Sequence, residues 1–246
     1  MRLLVLVLAL ALAGPARADT ALIAAAANFA EPLKRLAAAF AAESGHRIEI
    51  STGSTGALAA QIRNGAPFTL FLAADEERPA LLEAEGLTVP GTRFTYATGR
   101  LVLWGPDSRW LIADPATALV DPQLRYLAIA NPELAPYGRA AKQALTALGL
   151  WERVQPKLVR GEDIAQTFQF VASGNAELGF VALSQVLDRS GSRWDVPRDL
   201  YAPIRQQAVL LQRGKNNAAA KAFLDFLRSE AGKAIIRDAG YDVEGS

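Results

Sequence analysis

The chain has 246 residues, 51% of them hydrophobic, with 26 basic and 25 acidic side chains, one histidine and no cysteine. This balance lacks the clustered basic charge of a nucleic-acid surface, and it supplies enough apolar mass for one large domain or two lobes. The missing cysteines exclude a disulfide framework, a thiol nucleophile and lipid attachment through an N-terminal cysteine.

Residues 1–18 read as a secretory leader: Arg2, an unbroken apolar run from Leu3 to Ala13, then the small-x-small signal Ala16-Arg17-Ala18. The run falls well short of the roughly twenty residues a spanning helix needs, so export is expected to leave a soluble protein beginning at Asp19 in the periplasm. Loss of Arg2 and Arg17 takes the basic side chains from 26 to 24 against 25 acidic, a net charge of −1.

Strand-like and helical patterns then alternate: Leu22 to Ala26 and Pro32 to Ala42, Arg47 to Ser51 and Ala57 to Asn64, Leu70 to Ala73 and Arg78 to Glu85. That rhythm predicts a parallel sheet covered by helices. Leu33, Leu36, Ala37 and Phe40 mark the buried stripe of the first helix, for which Asn28 is expected as N-cap with Glu31 completing a capping box and Pro32 tolerated in the first turn. The second helix is expected to end at Asn64-Gly65. Both helices follow a strand through small hydrogen-bonding residues, Ala27-Asn28 and Gly53-Ser54-Thr55-Gly56, so free N–H groups collect at one edge of the sheet.

Thr95 to Trp104 reads as one long strand leaving the first lobe. Beyond it come a strand at Tyr126 to Ala130, a helix at Gly138 to Leu148 with Pro136-Tyr137-Gly138 at its start, a short strand at Lys157 to Val159, a helix opened by Ile164, and a buried strand at Leu178 to Val181. Tyr201 to Leu211 reads as the return crossing, and Ala218 to Leu227 with Ala231 to Asp238 as closing helices of the first lobe. Two crossings predict an α/β protein of two hinged lobes, each a mainly parallel sheet flanked by helices, with a ligand cleft between them. The expected division is 1–18 leader, 19–97 with 205–246 as lobe 1, and 98–204 as lobe 2.

The ordered blocks Ala25-Ala26-Ala27-Asn28-Phe29, Gly53-Ser54-Thr55-Gly56, Gln61 to Pro67, Phe71 to Asp75, Pro136-Tyr137-Gly138, Gly161-Glu162-Asp163-Ile164, Leu178 to Val181 and Ala222 to Tyr241 resemble the periplasmic molybdate-binding proteins of ABC importers. The resemblance implies a type II two-lobed binding protein that holds molybdate or tungstate and passes it to a permease and its ATPase, as a monomer that meets the membrane only through the permease. Position by position it implies Asn28 and Ala27, Thr55 and Ser54, Tyr137 and the Ile164 amide as oxyanion ligands. Asn28, Thr55, Tyr137 and Ile164 would then approach the metal only through its oxygens, and no cofactor is implied. Ala182 departs from members that place a tyrosine donor there.

On the residues alone, Asn28 and Ser54-Thr55 serve as helix caps and Tyr137 as a half-buried tyrosine; the resemblance turns them into ligands. A donor-only set suits an unprotonated tetrahedral dianion, whereas phosphate near neutral pH is best recognised with an acceptor, and cage size would separate molybdate from sulfate. Sulfate, thiosulfate and phosphate remain the alternative ligands. Asp75 and Asp163 are expected to cap helices, pointing away from the anion, while Arg139, Lys34 and His46 are expected in solvent. An exported hydrolase lacks its parts, having one histidine, no cysteine and no Gly-x-Ser-x-Gly elbow, and a ligand-sensing module would use the same cleft with a different partner.

Overall fold

The computed structural model describes residues 18–110 and 114–243. The expected leader therefore lies outside the described residues apart from Ala18. Among the described residues, no helix is long and apolar enough to cross a membrane.

The first sheet contains β1 (Thr20–Ala26), β2 (Arg47–Gly53), β3 (Leu70–Leu72), β4 (Phe94–Gly99) and β10 (Ile204–Leu210), in the order β2-β1-β3-β10-β4. The second contains β5 (Leu101–Gly105), β6 (Leu127–Ala130), β7 (Leu158–Gly161), β8 (Leu178–Ala182) and β9 (Ser192–Asp195), in the order β7-β6-β8-β5-β9. β1 is parallel to β2 and β3, and β6 to β7 and β8, as the alternating pattern requires. The strand that runs against its neighbours is β10 in one sheet and β5 in the other, and each of these immediately follows a crossing between sheets.

The expected strand from Thr95 to Trp104 is in fact two strands in different sheets, broken at Arg100. Alternating apolar residues report an extended backbone but not which sheet it joins, so the break is invisible to periodicity. Gly99 marks the spot: a Cβ there would overlap the Tyr137 hydroxyl. The first sheet keeps the chain to Gly99 and regains it at Ile204, so Thr98, Gly99 and Ile204 pair within it. The short edge strand β9 carries no strong pattern and had no counterpart in the expected elements.

α1 (Ala30–Ser44) buries Leu33, Leu36 and Phe40 and ends at Gly45, which takes φ 72°. α2 (Thr55–Arg63) is followed by Gly65 at φ 82°, the left-handed stop its sequence called for. The other helices that matter here are α3 (Glu77–Ala84), α4 (Pro115–Val120), α5 (Pro136–Ala147), α6 (Trp151–Val154), α7 (Ile164–Ala172), α8 (Leu183–Val186), α9 (Ala218–Arg228) and α10 (Glu230–Asp238). The Phe29, Leu33, Phe40 and Phe223 cluster fills one face of the first sheet, and Leu58, Ile62 and Phe71 the other. After α10 the chain returns to the crossing, where Asp242 bridges Thr98.

Register decides what the sheets present. Ala26 lies beside Gly53, so the turns that follow β1 and β2 emerge together at one sheet edge; Ala130 lies beside Gly161, so the turns leading to α5 and α7 emerge together at the facing edge. One apolar cluster joins Ala26, Ala27 and Ala74 of the first lobe to Ala135, Tyr137 and Ile164 of the second. The lobes are closed on each other.

Candidate functional site

Between the two edges lies a small cavity of about 10 Å³, lined by Ala26, Ala27, Asn28, Gly53, Ser54, Thr55, Ala74, Ala135, Pro136, Tyr137, Asp163 and Ile164. That is far below the roughly 300–1,000 Å³ usual for organic ligands. The starts of α2, α5 and α7 face it with the Ala27–Phe29 turn that precedes α1. In α2, Ala57 N–H bonds Ser54 Oγ at 3.4 Å and Gly56 N–H bonds Leu134 O at 2.9 Å, which leaves the Thr55 N–H outside the helix's own bonding. In α7, Asp163 Oδ1 takes the N–H groups of Ala165 (2.8 Å) and Gln166 (2.9 Å), leaving that of Ile164. In α5, Pro136 has no N–H, so Tyr137 offers the first one.

All six expected ligand residues line this one cavity, and Asn28, Ser54, Thr55, Tyr137 and Ile164 are each under a tenth exposed. Their side chains are used differently from expectation. Thr55 Oγ1 accepts the Ala74 N–H at 3.1 Å, so its own hydrogen is free to turn to the cavity. Asn28 is not the N-cap of α1: the cap position is Phe29, and the capping box with Glu31 does not form. Asn28 sits instead in a 3₁₀ turn, and its Nδ2 donates to Gln206 Oε1 at 2.9 Å and to Tyr241 Oη at 3.0 Å. Both amide hydrogens are thereby engaged, so what Asn28 offers the cavity is main chain. The Tyr137 hydroxyl accepts from Gln206 Nε2 at 3.3 Å, behind the cavity wall.

No lysine, arginine or histidine is among the lining residues, and their positive potential comes from helix N-termini alone. Asp163, the lone carboxylate there, is held by its cap, and Asp75 accepts the Arg78 N–H at 3.2 Å while its other oxygen pairs with the Arg78 guanidinium. Among the described residues no group of three or more His, Cys, Asp or Glu side chains could hold a metal ion. Such a set of pre-aimed N–H and O–H donors suits a small anion.

The family profile described as bacterial extracellular solute-binding protein matches residues 21–242. The chain belongs to that family. The solute-binding protein is 50% identical over 237 residues to the molybdate-binding protein ModA of Azotobacter vinelandii, spanning 95% of this chain and 94% of that one. It is 48% identical over 240 residues to the protein of the same name from Rhodobacter capsulatus, spanning 97% and 94%. The solved structure of the Azotobacter vinelandii periplasmic molybdate-binding protein superposes with a TM-score of 0.87 and 41% identity, over 91% of this chain and 99% of that one.

Sequence reading missed the polar groups that stand behind the cavity of the solute-binding protein. Gln206 Oε1 also accepts from Tyr96 Oη at 3.0 Å, and Tyr241 Oη donates to Asn28 O at 2.8 Å. Burial holds the Tyr96 and Tyr137 phenols well above their ordinary value and pushes Tyr241 up to about 12, so no negative charge arises there at neutral pH. The Tyr96–Gln206, Asn28–Gln206 and Asn28–Tyr241 bonds span 110, 178 and 213 positions, and no local pattern marks them.

Two solvent expectations also change. Arg139, on the second lobe, pairs with Glu77 of the first at 2.9 Å, and Arg78 Nη2 donates to Glu133 O at 2.9 Å, so ion pair and carbonyl clasp the cleft mouth. His46 is half-buried, its Nδ1 accepting from Asp19 N at 3.1 Å and its ring stacked on Phe40. Lys34 stays at the surface, paired with Glu31.

Proposed function

We propose that this solute-binding protein captures molybdate or tungstate in the cleft and delivers it, in the periplasm, to the permease and ATPase of an ABC importer. It acts as a binding protein and not as an enzyme, with no cofactor, and works as a monomer. The moving bodies are the two lobes, divided beyond Gly99 and before Ile204 where the first sheet gives up and regains the chain, and closure brings Tyr137 and Ile164 onto an anion first held by Thr55, Ser54 and the Ala27-Asn28 turn.

The observation that carries the reading is a small inter-lobe cavity faced by main-chain N–H groups of both lobes and the Thr55 hydroxyl, without a cationic side chain. Its support is the likeness to relatives named as molybdate-binding proteins, near 50% identical along almost the whole chain. A dianion that carries no proton needs donors only, so nothing in the cavity has to accept from it. Partial charges at helix ends hold it while letting it go when the lobes part. A smaller oxyanion leaves the same cage with stretched hydrogen bonds.

Calorimetry of the protein with molybdate, tungstate, sulfate, thiosulfate and phosphate tests this. Tight binding of the first two, with sulfate weaker by two orders of magnitude or more, is expected. Preference for sulfate, thiosulfate or phosphate overturns the assignment. Pull-down of a sensor kinase in place of an importer reassigns the delivery step.

A further inference from the structure

The start of α8 lies outside the cavity, yet its second and third residues reach both of the turns that face it. Ser184, on lobe 2, has its Oγ 2.9 Å from Tyr241 Oη and 3.2 Å from Asn28 O, both on lobe 1. Gln185 Nε2 donates to Ile164 O at 3.1 Å, and its Oε1 accepts the Ala182 N–H at 3.0 Å. Neither side chain lines the cavity.

Two hydroxyl hydrogens meet one carbonyl here. Tyr241 Oη donates to Asn28 O at 2.8 Å and accepts the Asn28 amide at 3.0 Å. Ser184 Oγ lies 2.9 Å from the Tyr241 hydroxyl and within donating distance, 3.2 Å, of the same carbonyl, so it joins the Asn28 turn both through Tyr241 and directly. Both Ser184 contacts cross from lobe 2 to lobe 1, so parting of the lobes breaks them. The Ala27–Phe29 turn also packs against α7 and α8 across the cleft. Gln185 performs the matching task within lobe 2, tying the end of β8 to the first residue of α7.

We infer that Ser184 and Gln185 are a positioning pair that couples anion capture to lobe closure, Ser184 fixing the Asn28 turn directly and through Tyr241 and Gln185 fixing the Ile164 turn. The inference rests on the oxyanion reading of the cavity and adds to it a reason for tight retention: the closed cage is braced from one short helix behind it. The Ser184 arm forms when the lobes meet and so acts on release and not on encounter, while the Gln185 arm holds the Ile164 turn from within lobe 2.

Stopped-flow measurement of molybdate association and dissociation, following intrinsic fluorescence, tests this. Loss of one hydrogen bond of ordinary strength, about 1 kcal/mol, corresponds to roughly fivefold. Ser184→Ala is expected to dissociate molybdate about fivefold faster, with an association rate within twofold of the parent and an unchanged melting temperature without ligand. Ser184→Thr, which keeps the hydroxyl, is expected to restore the parent rate. In a Tyr241→Phe background, where only the direct Ser184 bond to Asn28 O at 3.2 Å remains, Ser184→Ala is expected to add a smaller loss than it causes alone. Gln185→Ala tests the second arm, and faster release is again expected.

Parent-like release from Ser184→Ala, or an equal further loss in the Tyr241→Phe background, overturns the inference and leaves the oxyanion function standing. A parent protein that binds neither molybdate nor tungstate sinks the function instead, and the same rates are then read with whichever oxyanion of the panel binds. If no oxyanion binds, both fall.

Discussion

Replacing Gly56 with alanine separates closure from folding. Gly56 is the second residue of α2, its N–H donates to Leu134 O at 2.9 Å, and Leu134 belongs to the opposite lobe. A Cβ there would lie 3.1 Å from Leu134 O, 3.2 Å from Leu134 Cα and 3.3 Å from Leu134 Cδ2. Two of those atoms are backbone, so the lobes must give by a few tenths of an ångström. The cost in the closed form combines a weakened hydrogen bond, about 0.5–1.5 kcal/mol, with a mild overpacking term near the low end of its usual range, about 1–1.5 kcal/mol. With the lobes parted, the methyl meets nothing from lobe 2, and alanine in a helix is favoured over glycine by up to about 1 kcal/mol. The ligand must supply the whole closed-state cost, so a total of about 1.5–3 kcal/mol weakens affinity by about 10- to 100-fold. The expected pair of results is a calorimetric molybdate affinity reduced by that factor and a ligand-free melting temperature equal to or above that of the parent. A folded Gly56→Ala protein binding within twofold of the parent refutes the argument that this contact belongs to the ligand-holding state.

Thr55→Ala removes the cavity-facing hydroxyl and is expected to weaken molybdate binding by about 1–3 kcal/mol, with Thr55→Ser retaining most of it, by calorimetry. Asn28→Ala removes one buried donor from each of Gln206 Oε1 and Tyr241 Oη, which keep their other partners, and is expected to cost about 1–3 kcal/mol of folding stability in urea as well as affinity. An unchanged urea midpoint with lost affinity would place that amide on the anion and not in the network. Burial alone would raise the Asp242 carboxyl, but the Arg100 hydrogen bond and the charges of Arg100 and Arg198 outweigh it and hold the group below its ordinary value. A carboxyl lowered on folding adds stability above its unfolded pKa, near 4, and loses it as pH falls through the folded value. Asp242→Asn should therefore melt below the parent at pH 7, and the gap should close as the pH is taken down through that range; a gap independent of pH contradicts this.

Much of the fold was legible because its signals are local. The Leu33, Leu36 and Phe40 spacing, the stop at Gly65 and the Asp163 cap of α7 each need only a few neighbouring residues, and each holds in the structure. The site was legible as a set of turns, since strand, small polar residue and helix start are contiguous at Ser54-Thr55 and at Asp163-Ile164. The break at Arg100 was not, because two strands in different sheets share one alternating pattern.

Chain chemistry alone thus determined most of the elements, the Ser54 and Asp163 caps and the neutral donors at the helix starts, all of which depend on interactions within a turn or two. Tertiary structure decided how those donors are deployed. It turned the Asn28 amide away from its own helix toward Gln206 and Tyr241, at sequence separations of 178 and 213, set the Tyr137 hydroxyl behind the cavity, and paired the still part-exposed Arg139 with Glu77 across the cleft mouth. The physical reason is that a polar side chain buried by the meeting of two lobes must find its partner among whatever the sheet register and the hinge bring within about 3 Å, and neither is written in the residues beside it.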